Sequence, residues 1–301
     1  MLLQSLVHGV ITMEQLSPLY GAERRRLRIA KLRGIRYRGG YHDFTIAAGG
    51  LRVFPRLVAA EHHTGFEAGA VQSGVPALDA LFGGGPDRGS SLLLIGPSGC
   101  GKSTVAFHYA AAAATRGERA AVFSFDESAT AFRARAASLG LGLEAHVLDG
   151  RVAVRQVDPA ELSPGEFSHA VREEAETGGA RVVVIDSLNG YLNAMPEERF
   201  LALQLHELLM YLAQRGVLTV LTVAQTGLAG APGESPVDVS YLADSVLLFR
   251  YGRPERRVVK TLSVVKKRTG VHATTLHELT LDGGLRIGPP LDRSEAGGVQ
   301  D

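Results

Sequence analysis

Nine consecutive residues, Gly96-Pro97-Ser98-Gly99-Cys100-Gly101-Lys102-Ser103-Thr104, carry the strongest chemistry in the chain. They fit the spacing G-x-x-x-x-G-K-S of a phosphate-binding loop. Glycines at such spacing let backbone N–H groups converge on phosphate oxygens, and a helix starting behind the loop adds a favourable field. Lys102 would reach the β- and γ-phosphates, with the Ser103 hydroxyl on Mg²⁺. The expected ligand is a purine nucleoside triphosphate, ATP with Mg²⁺ first. The bland alternative, a glycine-rich structural turn, does not require the apolar strand before the loop or the helix former after it.

Acidic residues with suitable placement lie elsewhere. Asp186 ends the apolar run RVVVID, so its carboxylate would emerge at the sheet edge and hold Mg²⁺ through water, a Walker-B role. Asp126 and Glu127 follow AAVFSF; Glu127 is the first candidate for the base that activates water, and Asp126 the second or its support. The same pair also reads as a helix N-cap before SATAFRARAA. Gln225 closes VLTVLTVAQ and is either a γ-phosphate sensor or a strand-end polar residue. Lys266 and Arg268 alternate on one strand face, placed to stabilise phosphoryl charge from a neighbouring subunit or simply solvated. His42, His272 and His277 with Asp43 and Glu278 do not make a zinc site, since adjacent residues in a strand point to opposite faces.

The elements that must position these groups alternate between strand and helix. SLLLIG (91–96), AAVFSF (120–125), RVVVID (181–186), VLTVLTVAQ (217–225) and SVLLFRY (245–251) read as strands. KSTVAFHYAAAAA (102–114), 129–139 and 198–216 read as helices, and PALDALF as a short one. Apolar strands alternating with helices predict an α/β fold, a mostly parallel central sheet covered by helices. VVKTLSVVKK, LHELTL and LRIG predict terminal antiparallel strands. Near the start, TMEQLSP predicts a short helix ending near Ser17-Pro18, followed by a basic segment and the strands YHDFTI and LRVFP.

The 301 residues are 45% hydrophobic with a net charge of +1, enough to bury a real core. Residues 1–60 hold ten Lys or Arg against three acids. That bias reads first as a surface facing acidic surface of the same or a neighbouring subunit. Nucleic acid is the alternative, although RRRLR lacks interleaved aromatics and only Tyr37 and Tyr41 follow. No apolar run is long enough for a membrane span, the N-terminus does not read as a signal peptide, and the single cysteine lies in the loop. A cytoplasmic location is expected.

The sequence also echoes itself. Lys31-Leu32-Arg33 recurs as Lys266-Lys267-Arg268, YHDFTI as LHELTL, and GGLRVFPRL as GGLRIGPPL. Together with GVPALDALFGGGPDRGSSLLLIGPSGCGKSTVAFHYA, FSFDES, VVVIDSLNGYLNAMP and VVKKRTGVH, the chain resembles the KaiC family of RecA-like ATPases over residues 12–291. The resemblance implies a RecA-like P-loop NTPase fold and hexameric homo-oligomers with ATP between subunits. It further implies slow hydrolysis and, in some members, autophosphorylation on Ser/Thr. It places the acidic pair on Asp126-Glu127, the trans-acting Lys-x-Arg on Lys266 and Arg268, and an acceptor at Ser240 beside Tyr241. Its layout makes 1–60 the end of a preceding RecA-like domain, 61–78 a connector, 79–292 the ATPase domain and 293–301 a flexible tail. A client protein is expected but not identified. A nucleotide-gated scaffold with little turnover and a DNA-associated accessory ATPase remain alternatives.

Overall fold

Strand segments of four to nine residues, separated by glycine turns and helices, make two sheets in the computed structural model of the chain. The structure describes residues 6–18, 21–158, 160–193, 201–225, 240–252 and 258–291. The tail expected at 293–301 and the first residues of the helix expected from 198 lie outside these. In chain order the elements begin with β1 (Gly9–Leu16), β2 (Arg24–Leu32), β3 (His42–Ala47), β4 (Gly50–Phe54) and α1 (Pro76–Leu81). Next come β5 (Ser91–Gly96), α2 (Lys102–Thr115), β6 (Arg119–Ser124), α3 (Ala129–Ser138), α4 (Leu143–Leu148), β7 (Val152–Gln156) and α5 (Pro164–Glu176). The chain continues with β8 (Ala180–Asp186), α6 (Leu188–Asn193), α7 (Leu201–Gln214), β9 (Leu218–Ala224), β10 (Ser245–Gly252), β11 (Val259–Lys267), β12 (His277–Thr280) and β13 (Arg286–Pro290).

The larger sheet has the order β13-β12-β11-β10-β5-β9-β8-β6-β7. From β10 to β7 the pairing is parallel. From β10 to β13 it is antiparallel, so the mostly parallel sheet with antiparallel terminal strands forms as the sequence predicts. Alternate residues of one strand enter two cores. Leu92 and Leu94 of β5 pack with α1, α2 and α3 on one face, while Leu93 packs with α5 and α7 on the other. Each such fully buried side chain stabilises the fold by roughly 1.5–3 kcal/mol. Burial on both faces explains why these strands read as continuous apolar runs.

The start of the chain corrects one expectation. TMEQLSP is not a helix: residues 9–16 form β1, paired antiparallel with the basic segment, itself the strand β2. Met, Glu, Gln and Leu are good helix formers, but pairing of Ile11 with Ile29 and Met13 with Leu27 overrides that weak preference. The resulting sheet, β1-β2-β3-β4, is antiparallel throughout and docks on α5. Asp43 Oδ2 accepts from the Gly165 N–H at 2.7 Å in the first turn of α5, and Phe54 meets His169 with ring centroids 5.4 Å apart. Between the helix expected at 129–139 and the strand expected at 181–186, the chain also forms α4, β7 and α5.

Candidate active site at the carboxyl ends of the parallel strands

Strand order reverses around β5: its chain successor β6 lies three places away, with β9 and β8 between. In open α/β sheets such a reversal opens a crevice at the carboxyl ends of the strands. Loop 96–104 leaves β5 here. Asp126 and Glu127 follow β6, Asp186 ends β8, and Gln225 follows β9. These residues of separate segments therefore share one edge of the sheet.

Backbone constraints shape the loop. A Cβ on Gly96 would lie 2.5 Å from the Phe249 carbonyl oxygen, so only glycine lets β5 and β10 approach here. Gly101, with φ +108°, makes the turn into α2, and a Cβ there would press on Leu279 and Leu281 at 3.3 and 3.2 Å. Among the described residues, no backbone carbonyl accepts from the N–H of Ser98, Gly99, Cys100 or Gly101. The Tyr251 hydroxyl donates to the Ser98 carbonyl at 2.9 Å and braces the loop from β10.

Lys102 is buried, and its Nζ donates to the Gly96 and Pro97 carbonyls at 2.9 and 2.7 Å. Burial holds its pKa below the ordinary lysine value, and burial likewise raises the Cys100 thiol. An ammonium desolvated among neutral carbonyls, beside loop N–H groups that no backbone carbonyl takes up, is a fit for a polyphosphate anion. The oxygen donors fit a hard cation. Asp186 Oδ1 accepts from Ser103 Oγ at 3.0 Å and from Thr222 Oγ1 at 2.5 Å. Carboxylate and hydroxyl oxygens together suit Mg²⁺.

The acidic pair divides. Asp126 Oδ2 accepts from the Ser187 hydroxyl at 2.5 Å, which ties it to the segment after β8. Glu127 Oε2 accepts from Arg135 Nη2 at 2.5 Å, and the same nitrogen lies 3.5 Å from Asp186 Oδ2. Arg135 thus spans the candidate base and the candidate metal ligand, its guanidinium 4.5 Å from the Phe107 ring centroid. The Gln225 N–H donates to the Gly96 carbonyl at 3.0 Å, which places Gln225 beside the start of the loop. Sequence reasoning missed Arg135, Thr222 and Ser187. Only Ser187, next to Asp186, had a signal; the others meet the site through folding alone.

Lys266 and Arg268 do not join this cluster. The end of β11 pairs with the start of β10, which pairs with the start of β5, so both lie at the opposite end of the sheet from their own loop. Arg268 Nη1 pairs with Asp244 Oδ1 at 2.8 Å, and Asp244 also accepts from the N–H and hydroxyl of Ser91, each at 3.0 Å. Ser240 opens a short 3-10 turn, Ser240–Leu242, at this same end. His42 and His277 are buried with their rings turned to local partners: His42 accepts from the Arg56 N–H at 2.9 Å, and His277 meets the Gly288 carbonyl at 2.9 Å. In the basic strand, Arg26 pairs with Glu14 at 2.9 Å and lies 4.2 Å from the Tyr41 ring centroid. No helix among the described residues is long and apolar enough to cross a membrane.

Comparison with known proteins adds the following. A family model described as "ATPase: KaiC" matches residues 71–291. The circadian clock oscillator protein KaiC of Picosynechococcus sp. is 26% identical over 272 residues, covering 89% of this chain and 52% of that protein. The protein of the same name from Synechococcus elongatus is 25% identical over 268 residues, covering 87% and 50%. Circadian clock oscillator protein KaiC 1 of Synechocystis sp. is 25% identical over 265 residues, with the same shares of 87% and 50%. The chain spans about half the length of these curated relatives.

Proposed function

Because the chain belongs to the KaiC family of ATPases, we propose that it binds Mg·ATP in loop 96–104 and hydrolyses it slowly. The observation that supports this reading is the convergence of a buried ammonium, loop N–H groups that no backbone carbonyl takes up, and the Ser103 and Asp186 oxygens at one sheet edge. The loop N–H groups and Lys102 would hold the polyphosphate, and Ser103 and Asp186 would hold Mg²⁺. When bound, Mg²⁺ supplies charge neutralisation at the transferred phosphoryl group. Glu127 takes the proton of the attacking water, Asp126 holds the segment after β8 through Ser187, and Gln225 senses the terminal phosphate.

Lys266 and Arg268 sit too far along the sheet to serve their own loop, which supports a role in a neighbour's site within a homo-oligomer, a hexameric ring on the family pattern. Ser240, at the same end, is then the residue proposed to accept phosphate from the neighbour. On this reading residues 79–292 form the ATPase unit, and 1–60 represent the end of a preceding one, joined by 61–78. A second reading is favoured by Arg135, whose guanidinium occupies Glu127 Oε2 at 2.5 Å, an oxygen that an attacking water would otherwise meet. The protein would then use ATP mainly to set its assembly state.

Size analysis with and without Mg·ATP, paired with phosphate release and mass mapping of phosphoresidues, tests both. Turnover with assembly supports the first reading, and assembly without turnover the second. Lys102→Ala should weaken ATP binding by at least about 100-fold, the order expected when a charged partner is lost. Unchanged binding in that variant would refute the site itself.

A further inference from the structure

One guanidinium stands on both carboxylates that the candidate chemistry needs. Arg135 Nη2 donates to Glu127 Oε2 at 2.5 Å and lies 3.5 Å from Asp186 Oδ2. Asp186 turns its other oxygen, Oδ1, to the Ser103 and Thr222 hydroxyls. Its two oxygens are therefore divided between those hydroxyls and Arg135.

Charge holds this pose more than packing does. Of the ten residues of α3 only Phe132 and Ala136 are buried, and the Arg135 side chain is 33% exposed. Its Nε is shielded from water yet has no hydrogen-bond partner among the described residues, and an unsatisfied donor of that kind costs stability. What favours the pose is the pair of carboxylates, together with the Phe107 ring 4.5 Å from the guanidinium carbon. The side chain can withdraw toward solvent without opening the core between α2 and the sheet.

Neutralising these carboxylates with a guanidinium and with a divalent ion are alternatives, because the two cations repel. We propose that Arg135 is a latch that competes with Mg²⁺ for Asp186 and Glu127. Its withdrawal on binding of Mg·ATP frees Glu127 Oε2 to accept from a water. The latch rests on Ser103 and Asp186 being the metal's donors. It makes the contact that favours an assembly role into one that renders turnover conditional on metal. A unit charge about 4 Å from a divalent ion weakens its binding roughly 30-fold even at the dielectric of water. Salt lowers that figure, so a factor of about ten is expected.

Mn²⁺ binding to the whole chain without nucleotide, followed by electron paramagnetic resonance, tests the latch. Arg135→Gln should bind Mn²⁺ about tenfold more tightly than wild type, and Arg135→Lys, which keeps the charge, within about twofold of it. Arg135→Gln should also melt below wild type in EDTA, with the gap narrowing in Mn²⁺. Loss of packing alone would leave that gap unchanged. Equal Mn²⁺ affinity in Arg135→Gln and wild type overturns the proposal, and so does an equal gain in Arg135→Lys. Should Arg135→Gln fail to fold, Arg135→Met, which keeps an unbranched stem over Phe107, takes its place under the same outcomes. Asp186→Asn separates two failures. If that variant keeps the wild-type Mg²⁺ dependence of ATP-analogue binding, Asp186 is not a metal donor and the latch falls with it. If it loses that dependence while Arg135→Gln gains no affinity, only the latch has failed.

Discussion

Replacing Thr222 by valine removes one oxygen from the inner wall of the candidate site while keeping the shape of the side chain. Thr222 is almost fully buried, and its hydroxyl donates to Asp186 Oδ1 at 2.5 Å. A hydrogen bond to a charged group contributes about 1.5–3 kcal/mol. Asp186 keeps its Ser103 donor at 3.0 Å and Arg135 at 3.5 Å, so the loss falls toward the lower part of that range, about 2 kcal/mol. For a domain of this size, roughly 4–8 °C in Tm should follow. The same oxygen orients a proposed metal ligand, and such outer partners are typically worth about 10–100-fold in metal affinity. Thermal melting of the nucleotide-free protein reads the first effect, and a Mg²⁺ titration of fluorescent ATP analogue binding reads the second. A Tm within about 1 °C of wild type would refute the energetic reasoning. A lowered Tm with unchanged Mg²⁺ dependence would refute the placement of Asp186 at the metal.

Two further outcomes are expected. Mixing Lys102→Ala with Arg268→Ala subunits should restore phosphate release at roughly a quarter of interfaces by random pairing, since one subunit supplies the loop and the other the arginine; no recovery in verified mixed oligomers contradicts the shared site. Burial holds the Asp43 carboxyl above the ordinary aspartate value of 3.8, so the folded chain binds its proton more tightly than the unfolded chain. Stability is therefore lost as pH rises from that value through the raised native one, and the loss is complete above it. Asp43→Asn keeps an acceptor for the Gly165 N–H and should gain on wild type across that interval in pH-dependent unfolding; parallel curves would contradict the assignment.

Much of the architecture was legible because parallel strands buried on both faces must be apolar throughout. SLLLIG gave β5 with its true limits, and the motif behind it gave the start of α2. Strand-end position alone brought Asp186, Asp126 and Glu127 to the edge that bears the loop. β1 was not legible, since its residue types favour helix and only pairing with β2 makes a strand of them. Arg135 was hidden for another reason: it follows Glu127 by two helical turns, and only the turn between β6 and α3 folds it back. Thr222 is one threonine among several in apolar strands, distinguished solely by facing Asp186. Lys266 and Arg268 read as chemistry from their spacing, yet which site they serve depends on a neighbour.

The central claim is turnover at the loop with Glu127 as base. Phosphate release from Mg·ATP by wild type and Glu127→Gln, at concentrations where both are shown to bind ATP, tests it most directly. The account predicts slow release by wild type and a loss of about 10²–10⁴-fold in the variant, the usual contribution of a positioned base, with binding retained. Equal release by the two proteins, or none by wild type under conditions of full binding, would contradict it.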